Sequence, residues 1–497
     1  MEKSRKYWLI ALLLVVLGFG LRMVDLQDPP VDFHPTRQFR GAMIARSIYY
    51  DLLPDADPER QALAAELSAD FQEFEPPVLE FMVALGYLAL GGEALWLARL
   101  IVSLAWCLGG LALFVLVKES VSGTPALAAL AYYLFLPFGL TASRSFQPDP
   151  LMTVMVILVM LAAYRWSESF QWRWAVLTGL LGAGAVLFKV VAAYLIMGLM
   201  IALILKVLGI KKALKSAQVW LMAALMVVLP GLYYLIGIGE SSSNYFQNWV
   251  VAMLPLVTTP DFYLGWLKRL YAFRALPMLA ALSGILLFAR GRGRWMLWGL
   301  WIGYALYGFS LPHQTATHSY YHIQITPLVA WSLAYTLQWA LEKFGAQRQQ
   351  WQAALLTAVV LLNLYWMYQG IDTLLSEDHR AEPPYWASVG EQVPDDGETI
   401  GLVQFYAHLL MYYGWTDVEL WPVTGELYLA EIRGNPDVND FPTLFARKTE
   451  GMDYFLVTTF RQFESQPELY SHLYENYPVY SEGPGYLIFD LHDPAAD

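Results

Sequence analysis

The sequence predicts a mainly helical protein that crosses a membrane about eleven times and ends in a small α/β domain outside it. Three observations carry that expectation. Of 497 residues, 57% are hydrophobic and only 15% charged, with a mean hydropathy of +0.40, whereas a soluble domain carries roughly 25% charge. Apolar runs of the length that spans a hydrocarbon core recur along the first three quarters of the chain. Beyond them the character changes: residues 370–497 hold 23 Asp and Glu against 5 Lys and Arg, while residues 1–369 hold 20 against 26.

The expected spans fall near 8–24, 94–117, 124–143, 150–166, 174–188, 190–207, 217–236, 272–289, 295–310, 322–340 and 351–369. Lys3, Arg5 and Lys6 precede the first, as in a signal peptide, but no small-residue cleavage site follows, so it reads as an uncleaved helix. A long loop, about 25–93, comes next and contains a helical pattern over Arg40–Tyr50. Within it Val78–Leu90 is only 13 residues long, too short to span, and is expected to lie in the interface.

Basic residues then fix an orientation, because Lys and Arg concentrate in cytoplasmic loops. With the N-terminus inside, the cytoplasmic loops hold fifteen basic residues and only four acids: Glu2, Glu119, Glu168 and Glu342. The long first loop and the acidic C-terminal part both lie outside. After about residue 380, Thr399–Phe405, Asp453–Thr459 and Tyr486–Leu491 read as short buried strands, and Tyr406–Tyr413 and Gln466–Tyr474 as helices between them. The division expected is a membrane domain over 1–370, including the loop at 25–93, and an extracytoplasmic α/β domain over 380–497.

Several function classes drop out. The single cysteine, Cys107, sits in an apolar run, so there is no disulfide framework. An acidic C-terminal part offers no nucleic-acid face. His34, His313, His318 and His322, the four histidines of the membrane part, all lie on the outer side with 16 of its 20 acids. Ionisable groups at membrane level mark functional paths. Gathered at one surface, they argue against a channel or a proton-driven pump.

Four clusters on that surface carry the chemistry: Asp32-Phe33-His34-Pro35-Thr36-Arg37-Gln38, Phe74-Glu75-Pro76-Pro77, Ser143-Arg144-Ser145-Phe146-Gln147-Pro148-Asp149-Pro150 and His318-Ser319-Tyr320-Tyr321-His322, with Lys189 an isolated cation at a helix end. Each has a plain alternative. Asp32 and Asp149 are placed to cap the helices that follow. Pro76-Pro77 can start a helix. Arg144 and Lys189 can snorkel to lipid headgroups, and Tyr320 and Tyr321 can belong to an aromatic belt. Together, three carboxylates and several cations on one face form an active-site pattern. Cations at that depth can hold a lipid-linked phosphate and the charge that grows on it. A carboxylate can take a proton from an attacking hydroxyl or amine.

The order of these clusters resembles the membrane-embedded glycosyltransferases of the GT-C fold, and most of all glycosyltransferase family 39, with the protein O-mannosyltransferases and the lipid A aminoarabinose transferase. Asp32 precedes Ala45-Arg46 as the family's first-loop Asp precedes an Ala-Arg pair, but Phe33 stands where the family often has Glu. Phe74-Glu75-Pro76-Pro77 resembles the Phe-Glu-Lys-Pro-Pro of the aminoarabinose branch without its Lys. Lys189 or Arg144 would then have to meet the phosphate. Arg99-Leu100, Asp149 and the His-Tyr-Tyr stretch also match.

The resemblance implies an inverting transfer in which an acceptor attacks the anomeric carbon of a polyprenyl-phosphate sugar. It casts Asp32 as base, with Glu75 and Asp149 orienting acceptor or sugar. Arg144, Lys189, His318 and His322 are then candidates for the phosphate, and His34, Arg37, Tyr320 and Tyr321 for substrate contact. The partners expected are a lipid-linked donor, a protein, lipid or glycan acceptor, and membrane lipid. No cofactor is specified; some relatives use a divalent metal near the Glu, a role open to Glu75 with His318. Three readings compete: a polymerase or ligase moving an assembled glycan; a lipid-sugar flippase, which predicts mid-membrane polar groups and broken helices in paired repeats; and a non-catalytic binding subunit whose outer domain recruits a partner, favoured if Asp32, Glu75 and Asp149 lie far apart.

Overall fold

A computed structural model describes residues 2–69, 71, 75–238, 243–244, 246–344, 348–434 and 440–492. Two compact units emerge, each discontinuous in sequence. One comprises residues 1–27, 72–79 and 96–377; the other comprises 28–71, 80–95 and 378–497.

The first unit is helical throughout, and every apolar segment expected to span is occupied by a helix or a helix pair. Four helices are long and apolar enough to cross a membrane: Trp96–Ser120, Asp149–Ser169, Ala217–Gly237 and Gln349–Ser376. A bent pair, Phe246–Thr258 and Pro260–Phe273, makes a fifth if taken as one span. Several others, such as Trp172–Phe188 and Ala192–Val207, are apolar but shorter.

Prolines and glycines account for the irregularities. Gly123–Phe135 and Pro137–Ala142 replace one expected span, because Pro137 cannot donate to the preceding turn. The bent pair, unforeseen from hydropathy, turns through 103° just before Pro260. Broken helices, which the hydropathy pattern did not show, are therefore present. Helices Ala192–Val207 and Gly291–Ser310 cross at van der Waals contact of their backbones. A Cβ on Gly198 would strike the Gly299 carbonyl, and one on Gly303 would strike that of Tyr194. Small residues four apart permit that approach between helices in lipid.

The second unit holds the helices Pro35–Leu52, Pro58–Ala69 and Val78–Leu90 (from Glu80) together with the C-terminal α/β fold. Its strands are β1 (Thr399–Leu402), β2 (Glu419–Leu420), β3 (Tyr454–Val457), β4 (Val479–Gly483) and β5 (Tyr486–Asp490), in the order β2-β1-β3-β5-β4. β1 pairs in parallel with both β2 and β3; β5 runs antiparallel to β3 and β4. The central strands β1 and β3 are buried along their whole length, as expected of strands covered on both faces. Ile400, Leu402, Phe455, Val457 and Phe489 form the core with Trp421, Phe445 and Phe463.

Two expectations here need correction. β1 stops at Leu402, short of Phe405, and the helix expected over Tyr406–Tyr413 begins two residues later, with residues 408–409 α-helical and Leu410–Gly414 wound as a π-helix after an irregular turn over Gln404–Ala407. Phe405, Tyr406 and Ala407 have φ of 53°, 58° and 58°. Each lies in the left-handed region, at a cost of about 1–2 kcal/mol for a residue with a Cβ.

Candidate active site

The 143–150 segment is anchored by two arginines that reach in opposite directions. Arg22, at the end of the first helix, donates from Nε to Ser143 Oγ at 2.8 Å. Arg144 returns the contact, donating to the carbonyls of Val24 at 2.7 Å and Asp25 at 2.9 Å. Both guanidiniums are buried. The plain structural role fits Arg144, whose bonds to these two carbonyls hold the chain.

This lock places Asp149 at the head of the Asp149–Ser169 helix, but not as its cap. The capping position is Pro148, and no side chain caps there. The Asp149 carboxylate instead accepts from Lys189 Nζ at 2.7 and 2.9 Å. Lys189 sits in the extended break between Trp172–Phe188 and Ala192–Val207, and both partners are almost wholly buried. Its ammonium also lies over the rings of Tyr320 and Tyr321, 4.7 and 4.3 Å from their centroids. A buried carboxylate, a buried ammonium and two aromatic faces thus meet, drawn from three separate stretches of chain.

The surrounding groups differ in what they can offer. His322 lies beneath, and both its ring nitrogens are engaged inside the protein. A carbonyl can only accept, so Nε2–H donates to Thr315 O at 2.9 Å, and Nδ1 accepts from the Tyr304 hydroxyl at 2.7 Å. Trp266 Nε1 in turn donates to Tyr304 Oη. These contacts tie His322 into the protein interior and lend no support to its expected role toward a phosphate. His318 shares a hydrogen bond with Thr317 Oγ1 at 2.6 Å, and its ring meets those of Tyr320 and Tyr321 edge-on. Glu75 is close enough to Tyr234 for charge to be felt there, and the Tyr234 hydroxyl bonds to the Val186 carbonyl. Phe74 lies outside the described residues. Among the described residues no group of three or more His, Cys, Asp or Glu gathers as a metal site would require.

The remaining predicted residues belong to the other unit. Asp32 does not cap the Pro35–Leu52 helix; His34 holds that position in a left-handed conformation, with no side-chain cap. Asp32 Oδ1 accepts from Gln38 Nε2 at 3.3 Å, an amide that also bonds to the carbonyls of Pro30 and Phe33. Arg37 lies near His408, whose Nδ1 donates to the Thr36 carbonyl at 2.8 Å. Burial, with Arg40 and Arg37 adding to it, pushes His408 down to about 4.

Arg46, noted in sequence only beside Ala45, proves central to this unit. Its Nε reaches Glu93 at 3.0 Å, and Nη1 donates to the Tyr412 carbonyl at 2.7 Å. The guanidinium lies between the rings of Tyr412 and Trp415, at 3.8 and 4.0 Å. Tyr412 Oη closes the network on Glu93 at 2.7 Å.

Residues 74–234 match the family model for dolichyl-phosphate-mannose-protein mannosyltransferase, a stretch that includes Glu75, Asp149 and Lys189. No curated protein matches the chain by sequence. Among solved structures, ArnT from Cupriavidus metallidurans in the apo state aligns with a TM-score of 0.60 at 17% identity, covering 98% of both chains. ArnT bound to undecaprenyl phosphate aligns at 0.55 and 16%, with the same coverage. The oligosaccharyltransferase AglB from Archaeoglobus fulgidus, in complex with an inhibitory peptide and a dolichol-phosphate, aligns at 0.56 and 13%, covering 97% of this chain and 74% of that one. The chain therefore has the GT-C fold of membrane glycosyltransferases.

Proposed function

We propose that this chain transfers a sugar from a polyprenyl-phosphate donor to a protein, lipid or glycan acceptor at the non-cytoplasmic face, with inversion at the anomeric carbon. One observation carries the reading: a buried Lys189–Asp149 pair under two tyrosines, in a fold whose ArnT representative was solved with undecaprenyl phosphate.

The chemistry follows from the groups at hand. Asp32, fixed by the Gln38 amide, takes the proton from the acceptor hydroxyl or amine as that atom attacks the anomeric carbon. The bond from that carbon to the phosphate oxygen breaks on the opposite side, and polyprenyl phosphate leaves with the electron pair. Lys189 is the cation proposed to meet the charge growing on it. The Lys missing from the Phe-Glu-Pro-Pro stretch leaves that task to Lys189 or Arg144, and Arg144 is held by the carbonyls of Val24 and Asp25. Asp149 holds the ammonium in place through both carboxylate oxygens. His34, Arg37, His318, Tyr320 and Tyr321 are proposed to contact substrate, and Glu75 to orient the acceptor or sugar.

The test is release of free polyprenyl phosphate from a radiolabelled polyprenyl-phosphate sugar, with purified protein and a membrane extract as acceptor source. Release that requires extract and drops roughly 100- to 10,000-fold in Asp32→Asn is expected, the usual scale for a lost general base. Full release by a well-folded Asp32→Asn protein would remove Asp32 from the mechanism. No release across several sugars would remove the transfer reading itself.

A further inference from the structure

The C-terminal α/β fold contains a cavity of about 350 Å³ that the proposed transfer does not use. Its lining comes from the segments just past the carboxyl ends of the parallel strands: Val403–Tyr406 after β1, Leu420–Val423 at the end of β2, and Thr459 and Gln462 after β3, with Glu426 from the helix after β2. From β1 the chain first moves to β2 on one side and then crosses to β3 on the other. The cavity therefore opens at the point where strand order reverses, the place in an open α/β sheet where the fold itself leaves a crevice.

Its lining has a defined chemistry. Tyr406 is 41% exposed, and Phe405 stands beside it, half-buried; Trp421, only 2% exposed, is a wall fixed by the core. Two amides are locked in opposite senses. Gln404 donates its Nε2 to the Thr458 carbonyl at 3.0 Å, leaving its oxygen as acceptor. Gln462 accepts at Oε1 from the Thr424 amide and hydroxyl, leaving its NH₂ as donor. The Glu426 carboxylate takes the Val423 amide at 3.1 Å and the Tyr406 hydroxyl. Among the described residues no Lys, Arg or His lines the cavity; the charges of Lys448 and Arg433 reach Glu426 from outside it. The backbone at Phe405–Ala407, three left-handed residues in a row, is strained in the manner of sites that hold a ligand.

We infer that this cavity binds a pyranose ring of a glycan, neutral or amino-bearing, with Tyr406 and Phe405 against its C–H face and Gln404, Gln462 and Glu426 on its hydroxyls. A phosphate or other anion is disfavoured by the Glu426 carboxylate, with no cation among the described lining residues. A peptide added as a strand needs a sheet edge, whereas this cavity lies at strand ends. The inference stands on the cavity's own geometry and does not require the proposed transfer.

The test uses the full chain in a detergent without a sugar headgroup, probed by saturation-transfer NMR with the methyl pyranosides of glucose, galactose, mannose, glucosamine and N-acetylglucosamine. Transfer to the ring protons of at least one is expected, with amide-exchange protection of residues 403–407. Tyr406→Ala and Glu426→Gln should each weaken binding by roughly tenfold, the scale of one aromatic or charged contact. If Glu426→Gln fails to fold, Gln462→Leu replaces it. Inorganic phosphate should not compete. No transfer to any probe would overturn the proposal, as would transfer unchanged in the Tyr406 variant and in the Glu426 variant or its Gln462 replacement. Binding lost in Lys189→Met instead would place the sugar in the other unit and overturn it equally.

Discussion

Lys189 and Arg46 are both buried cations with a carboxylate partner and two aromatic rings, yet they are built for different work. Arg46 is bound on several sides at once: Glu93 at Nε, the Tyr412 carbonyl at Nη1, a ring above and another below, and Tyr412 Oη closing on the same Glu93. A planar guanidinium with five donors suits a permanent clamp. Lys189 is a compact charge gripped by both oxygens of the Asp149 carboxylate, with tyrosine faces beside it. A carboxylate has about four acceptor positions, and the pair sits in an interruption between helices. The comparison teaches that composition does not separate a clamp from a site. What separates them is the cation and its setting: a planar fork shared among several acceptors, or a point charge in an interruption between helices.

The largest effect should come from breaking the Lys189 pair. Lys189→Met leaves a buried carboxylate without its partner, a loss of about 3–5 kcal/mol, and transfer should fall roughly 100- to 1,000-fold if the cation stabilises the leaving phosphate. Replacing both partners, Lys189→Met with Asp149→Leu, should bring stability back to within about 1 kcal/mol of the parent without restoring transfer. Melting curves and polyprenyl-phosphate release on the same samples decide it. An active double variant would make this pair a clamp like the other.

Arg46→Ala should produce the converse result: about 3 kcal/mol lost from the second unit, while the transfer rate per folded molecule is kept. Arg46→Lys should recover little, since an ammonium cannot fill the fork or stack on both rings. Limited proteolysis of residues 404–415 alongside the release assay would show it. Strong rescue by lysine would erase the distinction drawn between the two cations.

A smaller, pH-driven effect sharpens the same point, because His408 in the second unit is held neutral beside Arg37 and Arg40. Its folded value of about 4 lies below the ordinary 6.5, so between those values the unfolded chain takes up a proton that the folded chain does not. The contact is therefore fully stabilising above pH 6.5 and is lost as pH falls toward 4, by up to about 3 kcal/mol. Hydrogen exchange at residues 404–414, corrected for intrinsic rate, should show this loosening, and His408→Asn should flatten it. Equal pH dependence in the variant would trace the loosening to other groups.

Much of the site was legible because the signal was local. A polar residue in an apolar setting stands out, so Asp149, Lys189 and the His318–His322 stretch could be named before any contact was known. Their roles could not. The capping positions expected of Asp32 and Asp149 are taken by His34 and Pro148. Arg144 and His322 turned out to bond within the protein, and nothing near Glu93 in sequence announces its partners. Arg46 and Tyr412 are 366 residues apart, and no periodicity spans that distance.

The sequence by itself determined the helices, the acidic α/β end and the polar clusters, since hydropathy, charge and period act within a turn or two of the chain. Tertiary structure alone decided that residues 28–71 and 80–95 join 378–497 in one unit, that Lys189 faces Asp149, and that a cavity opens where β1, β2 and β3 end. Those outcomes depend on which distant groups satisfy one another once water is excluded. A buried charge or amide must find a partner, but the chain does not say locally which one it will be.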